Sequence, residues 1–475
     1  MGDFAVGSTA RTVLVPAATV VTLLAGLTAC GSGSSSPDGP SEAKSSSSPR
    51  AAGLPGGPIP GLAKALSWTV PATPGGASVF ALGDAFAVVS GGPKATRPAS
   101  GTADADAPPA ERAGAKVVQF RDAGTGRLRA TVERDDARVY ATTWHGAPSL
   151  RVDVVSTKAS DGMTSDRSST VSEVYDARGG KLGSVPDDKD HELSDGWVAT
   201  DGGGKVAPAE GGEAKSFEGG KELRSLQAPR NPEKGRELPG PRFGGGYGFS
   251  REEAKTGPYS HTKRLVVTEL STGRKAWTSS EAGRPDKAIP EDRSKATNVV
   301  PVTVLGDRVV LAWQTEGKDG GTEPWLLSVN DLRTGRLLTT GPVVRAAASD
   351  NMAEIMQSDD KPVFYVTHDP STDVLTVSGE RDSKWQATAW DLKSGKQLWT
   401  QADDENLFAP VASGNGVVYG FTDRYVQDFS KPIAVDVKTK KVLARGFEAD
   451  RIPVFSADGH GAVAVDQGVF VFAKG

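Results

Sequence analysis

Apolar residues fall in short runs along this chain, and a polar turn closes each one. Examples are Val117-Val118-Gln119-Phe120, Leu265-Val266-Val267, Trp325-Leu326-Leu327 and Ile433-Ala434-Val435. Runs this short, rich in β-branched residues and without helical period between them, predict strands. One turn follows all four runs. It reads Asp-x-x-[Thr/Ser/Gly]-Gly-[Lys/Arg] and stands at Asp122 to Gly126, Asp176 to Gly180, Asp331 to Gly335 and Asp391 to Gly395. Two degraded copies begin at Glu269, with Gly273, and at Asp436, where Lys440 replaces the glycine. The short carboxylate accepts backbone N–H groups a few residues on and closes the turn. The glycine supplies the left-handed conformation that re-enters the next strand through a bulge.

A second turn alternates with the first. Gly83-Asp84, Asp195-Gly196, Gly306-Asp307, Asn415-Gly416 and Asp458-Gly459 each precede an apolar strand and read as tight hairpin turns. Two hairpins per repeat make a four-stranded antiparallel unit, and such units in series predict an all-β chain folded as a β-propeller. Six copies of the Asp turn give six blades. A seventh forms where the lone strand Leu66 to Val70 pairs with the C-terminal hairpin Gly461 to Phe472, which removes a free edge. Seven blades are preferred. The long interval from Asp176 to Glu269 leaves room for an eroded eighth, although Lys205 to Gly245 lacks a clear strand and reads as an insertion. Gly92 to Ala115 and Ser279 to Asn298 read as solvated loops, and Ala346 to Ser358 as a short helix.

Composition supports a turn-rich chain: 57 glycines and 31 prolines in 475 residues. A net charge of −4 gives no basic footprint for nucleic acid, so none is expected as a partner. The chain's one cysteine, Cys30, changes the picture more. Arg11 precedes an apolar run from Val13 to Leu27, of signal-peptide length and interrupted by Pro16. It ends in Leu27-Thr28-Ala29-Cys30, which resembles a bacterial lipobox. That resemblance implies cleavage before Cys30 and lipidation of its thiol, hence a chain held on the extracytoplasmic side of the cell membrane. Residues 1–29 are then the signal peptide, 30–62 a Ser, Gly and Pro-rich disordered tether, and 63–475 the propeller.

The fuller pattern Asp-x-x-[Thr/Ser]-Gly-[Lys/Arg]-x-x-Trp is met at Glu269 to Trp277 and Asp391 to Trp399, while Trp68 serves the closing blade. It resembles the repeat of PQQ-like, quinoprotein-type propellers, and the lipobox and tether are similar to those of actinobacterial surface lipoproteins. The resemblance implies that these tryptophans pack between adjacent blades. Ala130, Ser184, Thr339 and Ala444 hold the place in the other copies. An enzyme of that family would need PQQ and Ca²⁺ held by converging oxygens, and no segment reads as a Ca²⁺ loop. The five histidines, His145, His191, His261, His368 and His460, are isolated and lack metal-ligand spacing. Gly414 to Tyr419 comes close to a dinucleotide fingerprint but precedes a strand where a helix is needed. No catalytic residue, metal site or cofactor is therefore assigned. The expected role is a non-enzymatic scaffold that binds an exported protein, peptide or cell-wall ligand. A quinoprotein enzyme, or a sensor acting through a partner, is the alternative.

Overall fold

The computed structural model describes residues 57–73, 75–91, 115–158, 167–187, 191–200, 206–208, 243–257, 260–270, 272–290, 299–316, 322–347, 364–381, 384–406, 408–422 and 432–475. Cys30 and the lipobox residues Leu27, Thr28 and Ala29 lie outside them, as does 348–358 of the stretch Ala346 to Ser358 where a helix was expected; Ala346 and Ala347 end a strand instead. The only helical turn among the described residues is the short 3₁₀ segment Ala449–Arg451. No helix among them is long and apolar enough to cross a membrane.

The fold is an all-β propeller. Seven antiparallel sheets have four strands each, and consecutive strands pair within them. Along the chain, the first sheet spans 77–134, the second 137–187, the fourth 243–278, the fifth 299–347, the sixth 364–400 and the seventh 409–445. The closing sheet joins Val454–Phe455, Gly461–Val465 and Gly468–Lys474 to the N-terminal strand Leu62–Pro71, which pairs Trp68 with Val471 and Thr69 with Phe470. A third sheet of three strands, His191–Ser194, Trp197–Thr200 and Val206–Pro208, occupies the long interval between the second and third Asp turns. So that interval holds strands as well as an insertion. Its first two strands flank the Asp195-Gly196 turn read from the sequence, whereas Val206–Pro208 falls in the stretch read as lacking a strand, because it is three residues long and no Asp turn follows it.

Burial is graded across each sheet. Second strands are buried on both faces, as in Ala85–Gly91 and Arg308–Gln314, because neighbouring sheets cover each side. Fourth strands such as Leu128–Arg134 and Val442–Arg445 alternate exposed and half-buried positions, as an outer edge does. The core lies between sheets. Val300, Leu327 and Val344 of the fifth sheet meet Leu375, Val377 and Trp390 of the sixth in one such layer.

Two boundaries differ from expectation. Residues 57–62, assigned to the tether, pack against the ring. Ile59 and Leu62 are buried with Tyr419 and Phe472, and the Tyr419 hydroxyl donates to the carbonyl of Pro60. Part of the 279–298 stretch is also packed rather than solvated. Ser279, Ala282 and Ala288 are buried, and Gly283 N–H donates to the Gly335 carbonyl. Its described charged residues, Glu281, Arg284, Asp286 and Lys287, stay at the surface while Ala282 and Ala288 pack with Val299, Val309 and Leu311 of the fifth sheet.

Candidate functional site

In a four-stranded antiparallel sheet the first-to-second and third-to-fourth connections leave by the same end. Every Asp turn joins a third strand to a fourth, so all six stand at one end of the ring, beside the tight hairpin turns. We call this the turn end. The connections from second to third strand, and from each four-stranded sheet to the next, leave by the opposite end. The long ones are there: Gly91 to Lys116, Gln314 to Thr322, Thr278 to Val299 and Ala347 to Phe364.

The Asp turns consume their own carboxylates. Asp122 Oδ1 accepts from Thr125 N at 2.9 Å and Thr125 Oγ1 at 2.8 Å, while Gly126 N donates to the Asp122 carbonyl at 2.9 Å. Asp331, Asp391 and Asp436 repeat this with Thr334, Ser394 and Thr439. In the degraded copy, Glu269 Oε2 accepts the Thr272 hydroxyl at 2.6 Å. The Arg129 guanidinium, bonded to Asp122 and assisted by Thr125, holds the Asp122 carboxyl well below its usual range. These acids are spent on turn geometry.

Gly126 and Gly335 seat the tryptophan of the preceding sheet. Gly126, Gly273, Gly335 and Gly395 all have φ between 66° and 73°. The Trp277 ring of the fourth sheet lies on Gly335 of the fifth, where an added Cβ would sit 2.8 Å from the ring, and its N–H donates to Leu332 O at 2.8 Å. Trp68 docks the same way on Gly126, donating to Ala123 O at 2.8 Å, and Trp399 donates to Val437 O at 2.9 Å. Lys440 takes the left-handed conformation without being glycine, at φ 62°.

The second copy differs. Its left-handed residue is Gly179, not Gly180, and Asp176 N donates to Gly180 O, so the loop is one residue shorter. Gly180 N instead donates to Asp176 Oδ1 at 2.8 Å. Val174 consequently pairs with Gly183, which places Gly183 rather than Ser184 at the tryptophan position.

Other polar groups join neighbouring sheets. Asp195, buried, accepts Gly146 N at 2.6 Å with Oδ1 and Gly246 N at 3.3 Å with Oδ2, tying the second, third and fourth sheets. Asp369, also buried, accepts from Ser371 N in its own turn and from Gly416 N of the seventh sheet. Arg308 grips Asp373 with two bonds of 2.9 Å, and His368 Nε2 lies 2.9 Å from the same carboxylate. His460 pairs with Asp458 at 3.0 Å. His145 stacks edge-on against Trp144 and Trp197. The side chains of His191 and His261 lie outside the described residues. Sequence reasoning assigned Asp195 to a turn and missed its second role. An acceptor reaching the next sheet's turn leaves no mark in local sequence.

Glu173 sits at the junction of the first and second sheets. Burial would raise its pKa, but hydrogen bonds from Arg134, Lys181 and Tyr175 outweigh this and bring it down to about 2. These partners neutralise the carboxylate and leave it no proton to exchange near neutrality. A groove of about 550 Å³ runs between the sixth and seventh sheets, walled by Trp399, Phe408, Ile433 and Val442, with the Lys440–Glu405 ion pair beside them. Among the described residues no three His, Cys, Asp or Glu side chains converge.

No protein-family profile and no curated protein sequence matches the chain. Several solved structures align with most of the chain. BamB from Moraxella catarrhalis is 12% identical with a TM-score of 0.39, over 86% of this chain and 97% of that one. A quinohemoprotein alcohol dehydrogenase from Comamonas testosteroni is 13% identical with a TM-score of 0.36, over 86% and 77%. The computationally designed protein Ika8 is 14% identical with a TM-score of 0.35, over 85% and 98%. The likeness extends to the propeller fold alone.

Proposed function

We propose that the chain is a membrane-anchored extracytoplasmic lipoprotein whose propeller is a non-catalytic scaffold for an exported protein, peptide or cell-wall component. The observation that carries this reading is the difference between the two ends of the ring. At the turn end the carboxylates close turns or join sheets, which leaves few groups for chemistry. The opposite end bears the long connections of the four-stranded sheets, and recognition is commonly built on such segments over a rigid scaffold. The lipobox ending at Cys30 supplies the anchor.

The test is photo-crosslinking in the native envelope. A crosslinking residue is placed at Lys116 or Arg138, at the connection end, and at Lys396, at the turn end. A discrete protein or glycan adduct from the connection-end positions, absent from Lys396, is expected. No adduct from either end, together with PQQ-dependent turnover by the purified chain, contradicts the scaffold reading and favours the enzyme.

A further inference from the structure

The chain as a whole is acidic, with a net charge of −4, yet the rim of its turn end is not. The sixth position of every Asp turn is a cation: Arg127, Lys181, Arg274, Arg336, Lys396 and Lys441, all exposed. Four turns add a second exposed cation at the third position, Arg178, Arg333, Lys393 and Lys438. The acidic residue that opens each turn is recessed by comparison: Glu269 is 35% exposed and its turn partner Arg274 80%. Lys181 is the most tied of the six, with Glu173 at 2.8 Å. The hairpin turns inside the rim contribute little opposing field where Asp84 is paired with Arg129, Asp373 with Arg308 and Asp458 with His460. The result is a circle of outward cations at one end of a rigid ring, with the carboxylates folded back on their own backbone.

We infer that this turn end rests on a flat, negatively charged bilayer surface through the rim cations. A circle of charges at one end of a ring meets a plane at several points together, whereas a linear polyanion would meet only an arc of it. The inference rests on the tethered reading above, in which residues 31–56 join the anchor to the ring. A flexible chain of that length spans roughly 30 Å, short enough to keep the rim close to the leaflet. Docking in this orientation turns the connection end outward, toward the partner.

The experiment is sedimentation of the full chain carrying Cys30→Ser with vesicles of phosphatidylcholine, alone or mixed equally with phosphatidylglycerol. The signal-peptide run and Arg11 are common to every variant, so the readout is the change between variants in the ratio of the two partition coefficients. The rim variant is Arg336→Gln, Lys396→Gln, Lys441→Gln. The control, Lys116→Gln, Arg138→Gln, Arg445→Gln, removes the same charge at the opposite ends of strands. A charge-keeping variant, Arg336→Lys, Lys396→Arg, Lys441→Arg, reports on folding. The rim variant should lose roughly a hundredfold of the anionic preference at low salt, from a factor of about five for each cation at a charged surface. The control and the charge-keeping variant should retain it, and added salt should weaken it. Equal loss in rim and control variants, or no preference of the parent for anionic vesicles, overturns the inference. Because this chain is unlipidated, such a failure leaves the anchor itself standing.

Discussion

Lys440 is the one residue in the six turns that holds the left-handed conformation with a side chain. Lys440→Gly should raise stability by about 1 kcal/mol, because the strain relieved exceeds the value of the exposed Lys440–Glu405 pair. A denaturant midpoint that falls would contradict this. Gly335→Ala acts oppositely. The new Cβ meets the Trp277 ring at 2.8 Å in a backbone with φ 71°, and backbone strain and overpacking together should cost about 2–4 kcal/mol. In a double-mutant cycle with Trp277→Ala the two losses should be strongly non-additive, since removing the ring removes the clash. Glu173 sets an acid limit. Its folded pKa of about 2 lies below the ordinary glutamate value of 4.5, so its contribution is present above 4.5 and is lost as pH falls toward 2. Glu173→Gln should flatten the dependence of Tm on pH across that window; an unchanged slope would show that other carboxylates dominate. At this scale the sequence was informative wherever chemistry is local. Asp122 and Gly126 lie within the turn that explains them. The shift from Gly180 to Gly179 was not visible, because two adjacent glycines both tolerate a positive φ and only strand register chooses between them.

Strand Leu62–Pro71 decides whether the ring closes. It supplies the outer edge of the closing sheet, and Trp68 reaches from it to Phe86 and Ala123 of the first sheet. Removing residues 57–71 exposes the edge of Gly468–Lys474 and uncovers Phe470 and Phe472. The truncated chain should lose near-ultraviolet circular dichroism and aggregate. Cooperative unfolding at the parental midpoint would show that closure does not depend on this strand. Pairing of the two termini was legible because the lone N-terminal strand matches the outer strand Gln397–Thr400 in pattern, and the C-terminal hairpin lacks one. The three-stranded third sheet was less so. Its fixing contact, Asp195 to Gly146 and Gly246, spans 49 and 51 residues of sequence. The packing of Ile59 and of Ala282 was equally hidden, since small and isolated apolar residues in polar stretches carry no period.

The whole molecule is a ring whose two ends have different composition for a topological reason. Antiparallel sheets send all repeat turns to one end and all long connections from the four-stranded sheets to the other. Stability and recognition are thereby separated, with inter-sheet docking at the tight turns and variable length opposite. The central functional claim is that this ring is held at a membrane by Cys30, and metabolic labelling with radioactive palmitate followed by membrane fractionation tests it most directly. The account predicts a labelled, membrane-bound protein that becomes unlabelled and is released from the lipid-anchored fraction in Cys30→Ser. Label that persists in Cys30→Ser, or a parent protein that is unlabelled and freely soluble, would contradict it.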